Sequence, residues 1–255
     1  MRAGQLHRLG SNRIKAPDLF MVTYALDFET YYDKECSIKT LGPLGYFSHP
    51  NFDAYMVSVV GDDGYKFVGN PKDFDWSLIE NSIVLSHNAS FDETLYLFGV
   101  DKGWWDYSEV KAWYCTADMA AFCRLPRSLK NATAEAFGLT VNKSTRDNMS
   151  GKKWNNMTDE FKEEVIEYAL KDSELCLDLW KKYSDQLPDS EKEISNLNRK
   201  IVQGGIPIDQ RLLKDQLEKI KIGLFEAEQN IPWIEDSPLL SRAAFDNQCR
   251  LVGLE

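Results

Sequence analysis

The chain is poor in the side chains that build most soft-metal and redox centres. Its five cysteines (Cys36, Cys115, Cys123, Cys176, Cys249) are odd in number, scattered, and form no C-x-x-C pair. A disulfide framework and a thiolate metal site are therefore not expected, and reduced thiols in a cytoplasmic setting are. With only three histidines there is no Cys/His cluster either, which argues against zinc. No apolar run approaches the length of a membrane span and no signal-peptide pattern opens the sequence, so no membrane partner is expected. No internal repeat is visible. An excess of positive charge is also missing: the formal net charge is −10, which argues against unaided polyanion binding.

What is present suffices for a globular fold. At 43% hydrophobic and 12% aromatic residues, 255 residues can bury a real core, as one large domain or one domain with an appendage. The acidic total hides a local asymmetry. Between Arg124 and Lys153 stand seven basic residues (Arg124, Arg127, Lys130, Lys143, Arg146, Lys152, Lys153) against Glu135 and Asp147. An acidic protein with one basic stretch suits an enzyme that uses carboxylates for metal and a separate strip for phosphates; an ordinary solvated surface explains the charge equally well.

The organising stretch is Val22-Thr-Tyr-Ala-Leu-Asp27-Phe-Glu29-Thr30. A β-forming run leads into two carboxylates two positions apart, and in a strand positions i and i+2 share a face. Two anions side by side at a buried strand end repel and lose hydration, a cost that a divalent cation offsets. Asp-x-Glu occurs four times, at residues 27/29, 33/35, 172/174 and 189/191, but only the first follows an apolar strand-like run.

Residues 1–20 are polar and aperiodic and read as a flexible leader or arm. A hairpin is predicted over 53–68 through Gly61-Asp-Asp-Gly64, then short helix 74–80, strand 83–87, helix 91–98, strand 110–115, and helical pieces at 117–122 and 129–137 with Gly138 as a stop. Three meandering strands followed by alternating helix and strand describe a mixed sheet with helices on its faces. The clearest helix runs over about 158–183, N-capped by Thr158, with Phe161, Val165, Tyr168, Asp172, Cys176 and Leu179 on one face. Asp172 is out of place in that stripe unless it has a partner such as a metal. Pro188 and the polar 189–192 segment read as a break, followed by helices near 194–202, 211–228 and 241–251.

Four anchors thus fall in order: Asp27/Glu29, Asp92 in His87-Asn88-Ala-Ser-Phe91-Asp92, and Tyr168-x-x-x-Asp172. Over residues 21–183 the chain resembles the 3′–5′ proofreading exonuclease domain of phage-type family A DNA polymerases, in the tyrosine branch of the DEDD superfamily. Asp-Phe-Glu-Thr, Asn88-x-x-Phe-Asp92 and Tyr168-x-x-x-Asp172 are similar to that family's three exonuclease motifs, and 128–139 to its segment between the last two. Tyr114-x-x-x-Asp118 repeats the third pattern but sits where the family has no such motif. The turn Gln203-Gly-Gly205-Ile-Pro-Ile-Asp209 looks like the entry to the polymerase part, although the family commonly has Arg where Gly204 stands.

The resemblance implies an α/β, ribonuclease H-like mixed five-stranded sheet flanked by helices, in a nuclease domain over 21–185, with a helical appendage over 186–255 like the start of a polymerase region. It implies a piece of a longer polymerase, without polymerase activity of its own since no palm or fingers motif appears, that shortens single-stranded or frayed DNA from its 3′ end. Two Mg²⁺ or Mn²⁺ ions are the implied cofactors, suited to oxygen-only ligands. Asp27 would bridge them, Glu29 and Asp172 would hold the water-activating ion, and Asp92 the other. Tyr168 would orient the attacking water, and Thr30, Asn88 and Phe91 would contact the terminal nucleotide. The implied partners are a single-stranded DNA 3′ end and the polymerase domain. A related DEDD nuclease acting on RNA, and a module that binds single strands without cutting, are the alternatives. His87 reads as a structural strand-end histidine before a general base, and Trp104-Trp105 as packing before base stacking.

Overall fold

The computed structural model describes residues 21–139 and 148–254. The expected arm over 1–20, and Lys143, Arg146 and Asp147 of the basic stretch, lie outside these residues. Two compact units are resolved, one up to Gln203 and one from Gly204 onward.

The first unit is built on a five-stranded sheet. Strand β1 (Thr23–Thr30) pairs antiparallel with β2 (Ala54–Gly61), which pairs antiparallel with β3 (Lys66–Gly69). On its other side β1 runs parallel to β4 (Ile83–Ser86), and β4 parallel to β5 (Ala112–Cys115). The order is β3-β2-β1-β4-β5, the mixed ribonuclease H-like sheet with helices on both faces.

The alternation along β1 sorts its side chains by face. Leu26 and Phe28 enter an aromatic core, whereas Ala25 packs with Val60, Leu85, Cys176 and Leu177 on the opposite side. Helix α1 (Ile38–Phe47) follows β1, α2 (Ala89–Asp101) joins β4 to β5, and α3 (Thr116–Phe122) and α4 (Leu129–Phe137) follow β5. Gly138 ends α4 in the left-handed conformation, φ 69°, as its sequence suggests. The long α5 (Asp159–Tyr183) lies across β1 and β2, its start capped by the Thr158 side chain accepting from the Phe161 amide. Its buried Val165, Leu175 and Leu179 each contribute about 1.5–3 kcal/mol of burial.

Trp104 and Trp105 are packing residues. Trp105 stacks between Phe28 (5.6 Å) and Trp76 (5.2 Å), and Trp104 stacks on Phe52 (6.3 Å). Gly99 makes room for this: a Cβ placed there would fall 2.0 Å from the Trp105 ring.

Helix α6 (Asp189–Gly204) begins directly after Pro188, through the segment that reads as a break. Proline suits a helix entry, Asp189 and Glu191 favour the N-terminal dipole, and Lys192 pairs with Asp189 at 2.9 Å. From α6, Arg199, only 6% exposed, reaches Glu93 of α2 at 2.9 Å and also donates to Ser195, Asn196 and the Trp113 carbonyl.

The second unit holds α7 (Gln210–Gln229), capped by Asp209, and α8 (Arg242–Leu251), capped by Ser241. Trp233 meets the Phe245 ring edge-on at 6.1 Å. Among the described residues no helix is long and apolar enough to cross a membrane.

Candidate active site

Strands β1 and β4 are in register only over Thr23–Ala25 and Ile83–Leu85. Beyond that they part, with the Ser86 hydroxyl donating to the Leu26 carbonyl at 2.7 Å across the widening. The start of α2 enters this gap at the carboxyl ends of the two strands, the place where open α/β sheets form crevices. Asn88 makes the turn with φ 126°, a strained value for a non-glycine residue, and its side chain makes no capping bond.

Asp92, one turn into α2 and 2% exposed, accepts the Phe28 amide hydrogen at 3.2 Å. The buried carboxyl is thereby pinned to the backbone between Asp27 and Glu29. Burial pushes its pKa up to about 7, against the opposing pull of the Phe28 amide and its own backbone amide.

Helix α5 supplies the opposite wall. Asp27, Glu29, Thr30, Asn88, Phe91, Asp92, Tyr168 and Asp172 all line one cleft of about 530 Å³. Three separate elements, β1, α2 with its cap residue, and α5, thus bring the eight predicted catalytic, metal and nucleotide-contacting residues to one place, whereas of the basic strip only Arg127 lines the cleft among the described residues. Burial raises the Tyr168 pKa first, and the Asp172, Glu29 and Asp27 carboxylates, together with its hydrogen bond to Asp172, raise it further. Its hydroxyl therefore keeps its proton at neutral pH and acts as a donor.

The donor set is all oxygen, the chemistry of a hard divalent cation. The residues fit such an ion in donor type and in electrostatics. Three carboxylates lie close enough to perturb one phenol, and the Asp92 carboxyl is held almost out of water. Among the described residues, however, no three His, Cys, Asp or Glu side chains form a ready-made metal cage. The carboxylates share the cleft without being drawn onto one point.

Several further residues line the cleft beyond the predicted set. Lys39 and Tyr46 come from α1 and Ser37 caps it; Gly42-Pro43 interrupts this helix, with Gly42 at φ 68° and ψ 172°. The Ser37 cap, accepting from the Thr40 amide, was the legible sign of that helix. Tyr46 donates to the Tyr31 carbonyl at 2.6 Å, so its only proton is used there. The Thr30 hydroxyl, 2.9 Å away, must then donate to Tyr46, leaving Thr30 only lone pairs to offer the cleft. Arg127, already part of the basic stretch read in the sequence, and Ser128, both ahead of α4, add a cation and a hydroxyl to the lining.

His87 also lines the cleft, in a structural state. Its Nε2 lies 2.7 Å from the Arg127 carbonyl, which can only accept, so the proton sits on Nε2 and Nδ1 accepts from Thr116 at 2.9 Å. Burial pushes its pKa down to about 4. The other Tyr-x-x-x-Asp copy lies elsewhere: Tyr114 stacks on Trp180 at 5.1 Å, and Asp118 binds Arg127 and Ser195.

No protein-family model matches the chain, and no curated protein matches it. Solved structures of similar fold include Escherichia coli RNase D, an exoribonuclease involved in structured RNA processing, at 16% identity and TM-score 0.49 over 72% of this chain and 46% of that one. Brucella melitensis NrnC with bound Mg²⁺ is similar at 14% identity and TM-score 0.47, over 86% of this chain and 90% of that one. The catalytic core of RRP6 from Trypanosoma brucei is similar at 14% identity and TM-score 0.46, over 69% and 45%. The chain thus spans under half the length of two of these three.

Proposed function

We propose that this protein is a divalent-metal-dependent 3′–5′ exonuclease that removes nucleoside 5′-monophosphates from the end of a single-stranded polynucleotide. The observation that carries this reading is the convergence of Asp27, Glu29, Asp92, Asp172 and Tyr168 on one cleft, with Lys39 and Arg127 also lining it.

Two Mg²⁺ or Mn²⁺ ions, when bound, would activate water and stabilise the charge that develops on the phosphate and the leaving 3′ oxygen. Asp27, Glu29 and Asp172 are the residues that would hold one ion, and Asp27 with Asp92 the other. Tyr168, whose hydroxyl proton is bonded to Asp172 in this structure, would turn that proton to an attacking water once Asp172 holds an ion, and serves as a positioning group and not as a base. Thr30, with lone pairs only, suits a terminal 3′-hydroxyl as donor. Asn88 and Phe91 would contact the last nucleotide, and Lys39 and Arg127 its phosphates.

Motif resemblance favours DNA, in a proofreading role beside a polymerase domain. The solved structures of similar fold favour RNA instead, E. coli RNase D being described as an exoribonuclease. Phosphate, 3′-hydroxyl and a single strand are common to both. The deciding assay uses 5′-labelled single-stranded DNA and RNA of one sequence with Mg²⁺, Mn²⁺ or EDTA, alongside Asp27→Ala. A ladder shortening from the 3′ end, lost with EDTA and in the variant, is expected, and the faster substrate names the sugar. Binding without cleavage of either strand would replace this reading with a non-cutting single-strand module.

A further inference from the structure

The pairing of β1 with β2 slips at the edge of the cleft. Glu29 is opposite Met56, but the next residue, Thr30, is opposite Ala54. Tyr55 is the extra residue of a β-bulge. Without the slip, Tyr55 and Met56 would face opposite sides of the sheet; here both enter the same cluster beneath α5, with Val165 and Ala169, and with Tyr168 packed against it. The bulge turns the Tyr55 ring toward the side of the sheet that carries Glu29.

That ring is 4% exposed and stacks on Trp154 at 5.5 Å and 15°. Its hydroxyl is buried and, among the described residues, makes no hydrogen bond. A buried hydroxyl without a partner is costly, so a fold that keeps one beside a cleft has a use for it or pays for nothing. Phenylalanine would fill the same space without the cost. Tyr55 is not among the residues lining the cleft; it adjoins Met56, the cross-strand partner of Glu29.

We infer that Tyr55 is a positioning residue: its hydroxyl is the donor that Glu29 takes up when its carboxylate turns to hold a divalent cation, fixing which carboxylate oxygen faces the ion. This rests on the nuclease reading above and deepens it. The closeness of the two groups follows from the register: Tyr55 lies between Ala54 and Met56, the cross-strand partners of Thr30 and Glu29. Second partners of this kind orient a ligand and commonly change metal affinity when removed.

The test is Tyr55→Phe in the full chain, with three readouts. Metal-free melting temperature should be unchanged or higher by roughly 2–4 °C, since an unsatisfied hydroxyl is removed. Calorimetric titration with Mn²⁺ alone should show affinity weakened about tenfold. Turnover at fixed, subsaturating Mn²⁺ should fall by a similar factor while KM for the oligonucleotide holds. In a Glu29→Gln background, Tyr55→Phe should weaken Mn²⁺ binding no further, because the effect runs through Glu29.

A variant that binds Mn²⁺ and turns over like wild type would overturn this inference alone, as would a melting temperature that falls together with turnover, or full additivity with Glu29→Gln. A wild-type chain that neither binds Mn²⁺ nor cuts would overturn the nuclease reading, and this inference with it.

Discussion

Ser58 on β2 and Ser173 on α5 place their hydroxyl oxygens 2.6 Å apart, and neither residue has any exposed surface. The Ser58 hydroxyl donates to the Ala169 carbonyl at 2.8 Å, so Ser173 must supply the proton between the two, with the Ser58 carbonyl as a weaker acceptor at 3.3 Å. Ala169 and Ser173 each directly follow a cleft residue, Tyr168 and Asp172. The seam therefore sets the rotation of α5 about its axis, and with it the aim of both cleft side chains.

Ser58→Ala should cost about 1–3 kcal/mol, because it removes the central member of this buried network. Ser173→Ala should cost less, since Ser58 keeps its bond to Ala169. Urea midpoints rank the two, and turnover should fall further in the Ser58 variant as α5 loses its stop.

Asp27→Ala and Asp172→Ala should each abolish cleavage while leaving the circular dichroism spectrum intact. Both remove one of several like charges gathered in the cleft, so the metal-free melting temperature should hold or rise. A melt in EDTA beside the cleavage assay separates loss of chemistry from loss of fold.

Tyr168→Phe should slow turnover by about 10–100-fold and leave Mn²⁺ affinity unchanged, since the hydroxyl donates rather than ligates. An unchanged rate would remove the hydroxyl from the chemistry.

His87 gives a pH dependence of stability with a definite sign. Its pKa lies at about 4 when folded, against 6.5 unperturbed, so the unfolded chain binds more protons between those values. Its contribution is complete above pH 6.5 and is lost as pH falls toward 4, at up to about 1.4 kcal/mol per pH unit. Asp92 works in the opposite direction: its folded pKa is raised, so its contribution declines as pH rises from about 4 to 7. Urea midpoints of wild type and His87→Asn at pH 7 and pH 5 isolate the histidine, and the gap between the two proteins should narrow at pH 5.

The parts of the site that repeat with a regular period were legible before any coordinates. Asp27 and Glu29 follow from the two-residue alternation of a strand, and Tyr168 and Asp172 from one turn of a helix. Asp92 became legible only as a member of the ordered set, since an acid in the first turn of a helix is otherwise unremarkable. What stayed hidden depends on irregular backbone. Gly42-Pro43 masks α1 and so conceals Lys39 and Tyr46, and the slip at Tyr55 cannot be seen without knowing which strand pairs with which. The strand order itself is a long-range fact, because β1 has its neighbours from 54–61 and 83–86.

Arg199 has a consequence for how this protein can be divided. The strand-and-helix pattern ends with α5, yet this side chain, ten residues beyond the start of α6, neutralises Glu93, the immediate neighbour of Asp92. A piece trimmed after Leu187 would leave Glu93 without its counter-ion in a half-dry pocket, next to the acid that the cleft depends on. The smallest heritable module that keeps its buried charges matched extends through Arg199. Recombination or gene fusion that joins this domain to a new neighbour is therefore tolerated only on the far side of that arginine.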